Sequence, residues 1–206
     1  MRPPRIAIFA SGKGSNAMAL IQKAKVFSEG QVEISFVLSD KTDALVLEKA
    51  KNDGIRTYLV PKRSDKKSHE KEILGLVREH RIDWIFLAGY MRLLSADFLK
   101  TFSEWHNGAS QVVNIHPSLL PAYPGVDSIA RAYQDEVPLS GVSIHLVDEG
   151  MDTGLILAQE SLVRNSQDSL EAWEARIHEL EHRMYTGFLE SLATFQRRTV
   201  YFQENP

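Results

Sequence analysis

Arg5-Ile6-Ala7-Ile8-Phe9-Ala10-Ser11-Gly12-Lys13-Gly14-Ser15-Asn16-Ala17 decides the fold class. The run Ile6–Ala10 is apolar at every position, as expected of a strand covered on both faces. Two glycines follow, and from Asn16 the apolar residues fall at helical spacing to Ala24. Strand, glycine turn and helix in that order begin a βαβ unit. Gly12, Gly14 and Ala17 satisfy the G-x-G-x-x-[G/A] spacing, which brings backbone close to a ligand and aims a helix N-terminus at an anion. A bound phosphate and a tight structural turn are both open on this spacing, because the acidic partner of a dinucleotide fingerprint, Asp40 at nearest, comes late.

Outward from this unit the pattern repeats. Strands are expected at Ile6–Ala10, Glu33–Ser39, Thr57–Val60, Trp84–Ala88 and Val112–Ile115, with helices at Asn16–Ala24, Asp43–Lys51, Ser68–Glu79 and Ser95–Phe102. The charged stretch Lys62–Glu72 reads as a loop entering a helix with Ser68 as its N-cap. Two further extended segments, Gly141–Val147 and Leu155–Val163, flank a polar loop. Leu170, Trp173, Ile177, Leu180, Met184, Phe188 and Leu192 then recur at spacings of three and four, a single helix from Ser169 to about Phe195 docked along one stripe. The expectation is an α/β, Rossmann-like, mostly parallel sheet of about seven strands with helices on both faces, as one domain over residues 1–206.

Composition narrows the function classes. The 206 residues contain no cysteine, which excludes a thiol nucleophile and a zinc–thiolate site and fits a reducing compartment. With 24 basic and 27 acidic residues the net charge is -3, so no global basic excess points to nucleic acid. No apolar run approaches the ~20 residues of a membrane span. A cytoplasmic protein acting on small molecules, without nucleic-acid or membrane partners, is the expectation.

The sharpest segment is Val113-Asn114-Ile115-His116-Pro117-Ser118-Leu119-Leu120-Pro121-Ala122-Tyr123-Pro124-Gly125. A strand delivers Asn114 and His116, two apart and on one face, to its carboxyl end, where ligands sit in open α/β sheets. An amide beside an imidazole can donate two hydrogen bonds to one developing oxyanion. The same pair can also be two satisfied polar residues. Asp148-Glu149-Gly150-Met151-Asp152-Thr153-Gly154 adds three carboxylates in a flexible loop. A carboxylate beside His116 would keep the ring protonated and could take a proton from an amine. Calcium binding and a plain surface turn are the other readings, although the loop lacks EF-hand periodicity.

Taken together, SGKGSN at 11–16, LAGYMRLLS at 87–95, NIHPSLLPAYPG at 114–125, SGVSIHLVDEGMDTG at 140–154 and ARIHELEHRMY at 175–185 give the chain a resemblance to the folate-dependent formyltransferases, and within them to the phosphoribosylglycinamide branch. The resemblance runs from Arg5 to about Tyr185. It implies transfer of the formyl group of 10-formyltetrahydrofolate, a co-substrate, to the amine of 5'-phosphoribosylglycinamide in purine biosynthesis, with no metal.

The resemblance also implies roles. Gly14, Ser15 and Asn16 would hold the substrate phosphate, and His178 and Glu181 the ribose. Met91, Arg92, Leu93 and Leu94 would pack on the folate ring, together with Asn114 and the loop residues Asp148, Glu149, Gly150, Met151 and Asp152. Lys66, or its neighbour Lys67, would meet the folate tail. Asn114, His116 and Asp152 would be catalytic. Asp127 and Ile129 stand where the family pattern departs, and they receive no role. His145 reads as a strand histidine packed against the sheet. The resemblance also suggests a cis Leu120–Pro121 peptide, and a monomer or homodimer. A tRNA formyltransferase would need a further domain after about residue 200, and a formyl-folate deformylase one before the first strand. Length therefore favours the free glycinamide, with a sugar-amine formyltransferase as the alternative in the same class. A dinucleotide-binding protein is the alternative from another class.

Overall fold

Seven strands form one sheet in the order β3-β2-β1-β4-β5-β6-β7, in a computed structural model that describes residues 2–28 and 30–203, with side chains to 194. The strands are β1 (Arg5–Phe9), β2 (Glu33–Ser39), β3 (Thr57–Leu59), β4 (Trp84–Leu87), β5 (Val112–His116), β6 (Leu139–Leu146) and β7 (Ile156–Val163). The helices are α1 (Ser15–Lys25), α2 (Leu45–Asn52), α3 (Lys66–Glu79), α4 (Ala96–Glu104), α5 (Ser128–Gln134) and α6 (Leu170–Gln203). Strands β1 to β5 pair in parallel, and β6 and β7 add antiparallel. The expected mostly parallel sheet is what forms.

Strand alternation builds two cores. Ile6, Ile8, Val37, Phe86, Val113 and Ile115 face α1, α2, α5 and α6, whereas Ala7, Phe9, Phe36, Leu38, Ile85 and Val112 face α3 and α4. Helix α6 buries Trp173, Ile177 and Leu180 as its spacing required, while Leu170 stays exposed. The helix continues past the expected end near Phe195 to Gln203. The buried Tyr185 hydroxyl lies 3.0 Å from the Leu87 carbonyl and 3.2 Å from that of Val113, tying α6 to β4 and β5. No helix among the described residues is long and apolar enough to cross a membrane.

Two local expectations need correction. The N-cap of α3 is Asp65, whose carboxylate accepts from the amides of Lys67 and Ser68; Ser68 lies inside the first turn. The helix starts two residues before Ser68, at Lys66, and a carboxylate also suits the positive helix end better than a hydroxyl does. Helix α5 was not foreseen at all. It is short, and its N-cap residue Asp127 stands in the left-handed region (φ 56°) and makes no side-chain capping bond.

The loop after β5 is pinned from beneath. The Leu120–Pro121 peptide is cis, as expected. The fully buried Ser143 hydroxyl on β6 donates to the Ser118 carbonyl (2.6 Å) and accepts from the Leu120 amide (3.0 Å) and from Gln159 Nε2 (2.8 Å). That exhausts its one donor and two lone pairs. Ser143→Ala should therefore cost about 2 kcal/mol, because a carbonyl and an amide are left buried and unpaired. A denaturant midpoint unchanged from wild type would refute this.

Candidate active site

Strand order reverses between β1 and β4, since β2 lies on one side of β1 and β4 and β5 continue on the other. Crevices outside the carboxyl ends of strands at such a point are where ligands bind in open sheets. Here that crevice is a cleft of about 580 Å³, well inside the range of small-molecule sites. Its floor is the β5 end with Asn114 and His116. One end is the glycine loop Gly12–Asn16, and the walls are residues 87–94 and 125–128, His145, Gly150–Asp152, and His178 and Glu181 from α6.

Gly14 stands in the left-handed region (φ 74°), and a Cβ there would lie 2.3 Å from Val46 Cγ2. Only glycine allows the loop to close on α2 and then turn into α1. The helix has no acidic residue in its own first turn, which suits an anion at its N-terminus. Asn16 Nδ2 donates to Glu181 Oε1 (3.2 Å), and His178 Nδ1 donates to Glu181 Oε2 (2.6 Å). The Glu181 hydrogen bond raises the His178 pKa against the opposing effect of burial.

At the centre stand three polar side chains and a fourth that the sequence did not assign to the site. His116 Nε2 donates to the Tyr123 carbonyl (2.8 Å), and its Nδ1 lies 3.4 Å from Asp152 Oδ2. Both ring nitrogens thus face acceptors. Asn114 Nδ2 lies 3.4 Å from Asp152 Oδ1 and 3.1 Å from His145 Nε2. His145 was read as packed against the sheet. It is buried, yet its ring lines the cleft because β5 and β6 set it directly opposite Asn114. Its Nδ1 lies 2.9 Å from the Leu146 carbonyl, and its Nε2 stands between the Asn114 amide nitrogen (3.1 Å) and Asp152 Oδ1 (3.5 Å), in contact with both.

Asp152 has a positive φ of 58° and accepts from the Gly125 amide at 2.7 Å. Burial alone would raise its pKa. The His145 hydrogen bond, the Gly125 amide and the charges of His116 and His145 outweigh that and lower it to about 2. Its stabilising contribution is thus complete above the ordinary 3.8 and lost as pH falls through 2. The 3.4 Å gaps to Asn114 and His116 are long for hydrogen bonds, so a substrate atom placed between these donors can take them over.

Fourteen expected site residues line the cleft: Gly14, Ser15, Asn16, Met91, Arg92, Leu93, Leu94, Asn114, His116, Gly150, Met151, Asp152, His178 and Glu181. Lys66, Asp148 and Glu149 do not line it. Asp148 folds its own loop instead, accepting from the Gly150 amide (3.0 Å) and Thr153 Oγ1 (2.7 Å). Lys66 starts α3, 3.8 Å from Glu70. Of the two positions without a role, Asp127 lines the cleft and Ile129 belongs to the core. The late acidic residue Asp40 is buried and already engaged by the Ser11 hydroxyl (2.6 Å).

The family described as formyl transferase matches residues 4–189. The phosphoribosylglycinamide formyltransferase of Bacillus subtilis (strain 168) is 37% identical over 196 residues, 94% of this chain and 97% of that protein. Among solved structures, the phosphoribosylglycinamide formyltransferase of Bacillus halodurans superposes with a TM-score of 0.81 at 42% identity, covering 91% of this chain and 94% of that one. Glycinamide ribonucleotide transformylase 1 of Geobacillus kaustophilus does so with a TM-score of 0.85 at 38% identity, covering 93% and 100%.

Proposed function

The chain belongs to the formyl transferase family, and from that premise we propose that it transfers the formyl group of 10-formyltetrahydrofolate to the amine of 5'-phosphoribosylglycinamide, a step of purine biosynthesis. The observation that carries this reading is the convergence of Asn114, His116 and Asp152 on one cleft with the Asp152 carboxyl held ionised. Small-molecule substrates and a cytoplasmic location are part of the same reading.

The cleft suits both substrates. Met91, Leu93 and Met151 expose apolar surface around it, and apolar faces of this kind hold a flat ring such as a pterin. At the other end the amides of Gly14–Asn16 would take the phosphate, with His178 and Glu181 beside the ribose. Holding amine and formyl carbon in one site supplies proximity, worth about 7–11 kcal/mol in the best-oriented cases.

The amine lone pair forms the new C–N bond, and charge develops on the formyl oxygen. His116 Nδ1 and the Asn114 amide donate to that oxygen. Asp152 takes the amine proton, directly or through water, and returns it to N10 as the oxyanion collapses and the C–N10 bond breaks, so the carboxylate is regenerated. With no cysteine in the chain and a competent nucleophile in the substrate, no covalent enzyme intermediate is required. The deciding assay is formyl transfer from 10-formyltetrahydrofolate to glycinamide ribonucleotide, followed by folate absorbance. Product with a free sugar amine but none with the ribonucleotide would sink the substrate assignment.

Gly14→Val tests the phosphate end. Strain and the clash with Val46 must displace the loop, so KM for the ribonucleotide should rise by about tenfold or more, with KM for the folate little changed. Equal rises for both would mean that the loop serves something else.

A further inference from the structure

The two ends of the cleft meet behind its wall, at residues that do not line it. Ser11 ends the turn out of β1, just before the glycine loop, and is 4% exposed. Its amide donates to the Gly89 carbonyl (3.0 Å). Its hydroxyl donates to Asp40 Oδ1 (2.6 Å) and accepts from the Met91 amide (3.1 Å). Asp40 follows β2, is 9% exposed, and sets its other oxygen 3.7 Å from Arg92 Nη1. Three strand ends, β1, β2 and β4, are therefore joined through one hydroxyl and one carboxylate.

A carboxylate can only accept. Asp40 therefore forces the Ser11 proton toward itself and turns a lone pair toward the Met91 amide. The segment held in this way needs holding. Met91 is 63% exposed and lines the cleft. Charge-assisted hydrogen bonds are about twice as strong as neutral ones, and this one is buried where water cannot replace it.

We propose that Ser11 and Asp40 are positioning residues that fix the Met91–Leu94 wall against the glycine loop and so set the affinity for the formyl donor. This rests on the reading of that wall as the folate surface. Ser11 and Asp40 touch neither substrate; they act through the Met91 backbone and the Arg92 side chain. Asp40 is thereby assigned a role different from that of the acidic residue in a dinucleotide fingerprint, which must stay open to a ribose.

The test is steady-state kinetics on Ser11→Ala, Asp40→Asn, the double variant and Ser11→Thr, each checked for an intact fold by circular dichroism. KM for 10-formyltetrahydrofolate should rise roughly tenfold in each single variant, the range of one hydrogen bond to a charged group. KM for the ribonucleotide and kcat at saturating donor should change much less. The double variant should be no worse than the poorer single, because the two residues act as one unit. Ser11→Thr keeps a hydroxyl and should restore the donor KM. Active wild type with an unchanged donor KM in folded Ser11→Ala and Asp40→Asn overturns the proposal and leaves the proposed function standing. Equal rises in both KM values, or strict additivity, overturn it as well. A wild type unable to transfer a formyl group overturns the function and this inference together.

Discussion

Asp152→Asn should lower kcat by about 10²–10⁴-fold and leave both KM values within about threefold. Asparagine is the informative replacement because it keeps the shape of the loop. It tolerates the left-handed backbone that Asp152 adopts, and its side-chain oxygen can still accept from the Gly125 amide that Asp152 now binds at 2.7 Å. What it removes is the charge. The 3.4 Å approach to His116 Nδ1 then no longer favours a proton on that nitrogen, and the group that takes the amine proton is gone. Since the Asp152 carboxyl is held at about 2, it is ionised at any working pH, and the wild-type kcat profile should show no inflection from it above about pH 3. Combining Asp152→Asn with His116→Ala should cost far less than the product of the two single losses. If Asp152 merely shaped the loop, the asparagine variant would retain near-normal kcat and the acid–base role would have to be given up.

The second large effect concerns the amide. Asn114→Ala should reduce kcat by about 10²–10³-fold, the cost of one oxyanion donor. The amide needs an orienter to be such a donor, and His145 Nε2 at 3.1 Å is placed to be one. His145→Ala should therefore lower kcat in the same direction but by less, since the amide is left in place and only its orientation is freed. An Asn114→Ala enzyme with near-wild-type kcat and a raised folate KM would instead make Asn114 a binding residue alone.

His145 marks how far the sequence could be read. That it sits in a strand and is buried followed from Gly141–Val147. That its ring enters the cleft depended on the pairing of β6 with β5, which places it opposite Asn114. Register between strands distant in sequence leaves no local trace, and a shift of one residue would have turned His145 to the other face. A similar gap explains Asp148. As a residue type it resembled a ligand-facing carboxylate, yet its oxygen closes its own loop through Gly150 and Thr153. Ser11 and Asp40 were visible as letters, but the bond joining them spans 29 positions.

By itself the sequence determined the alternation of strand and helix, the parallel half of the sheet, the glycine loop at a helix start, and the pairing of Asn114 with His116 on one strand face. These follow from spacings of two, three and four residues, which covalent geometry converts directly into faces. Only the tertiary structure decided which distant carboxylate meets His116, that His145 joins the site, and that Ser11 spans its two ends. Those contacts arise from strand order and loop closure over tens of residues, where many arrangements bury the same apolar surface and only the folded chain selects one.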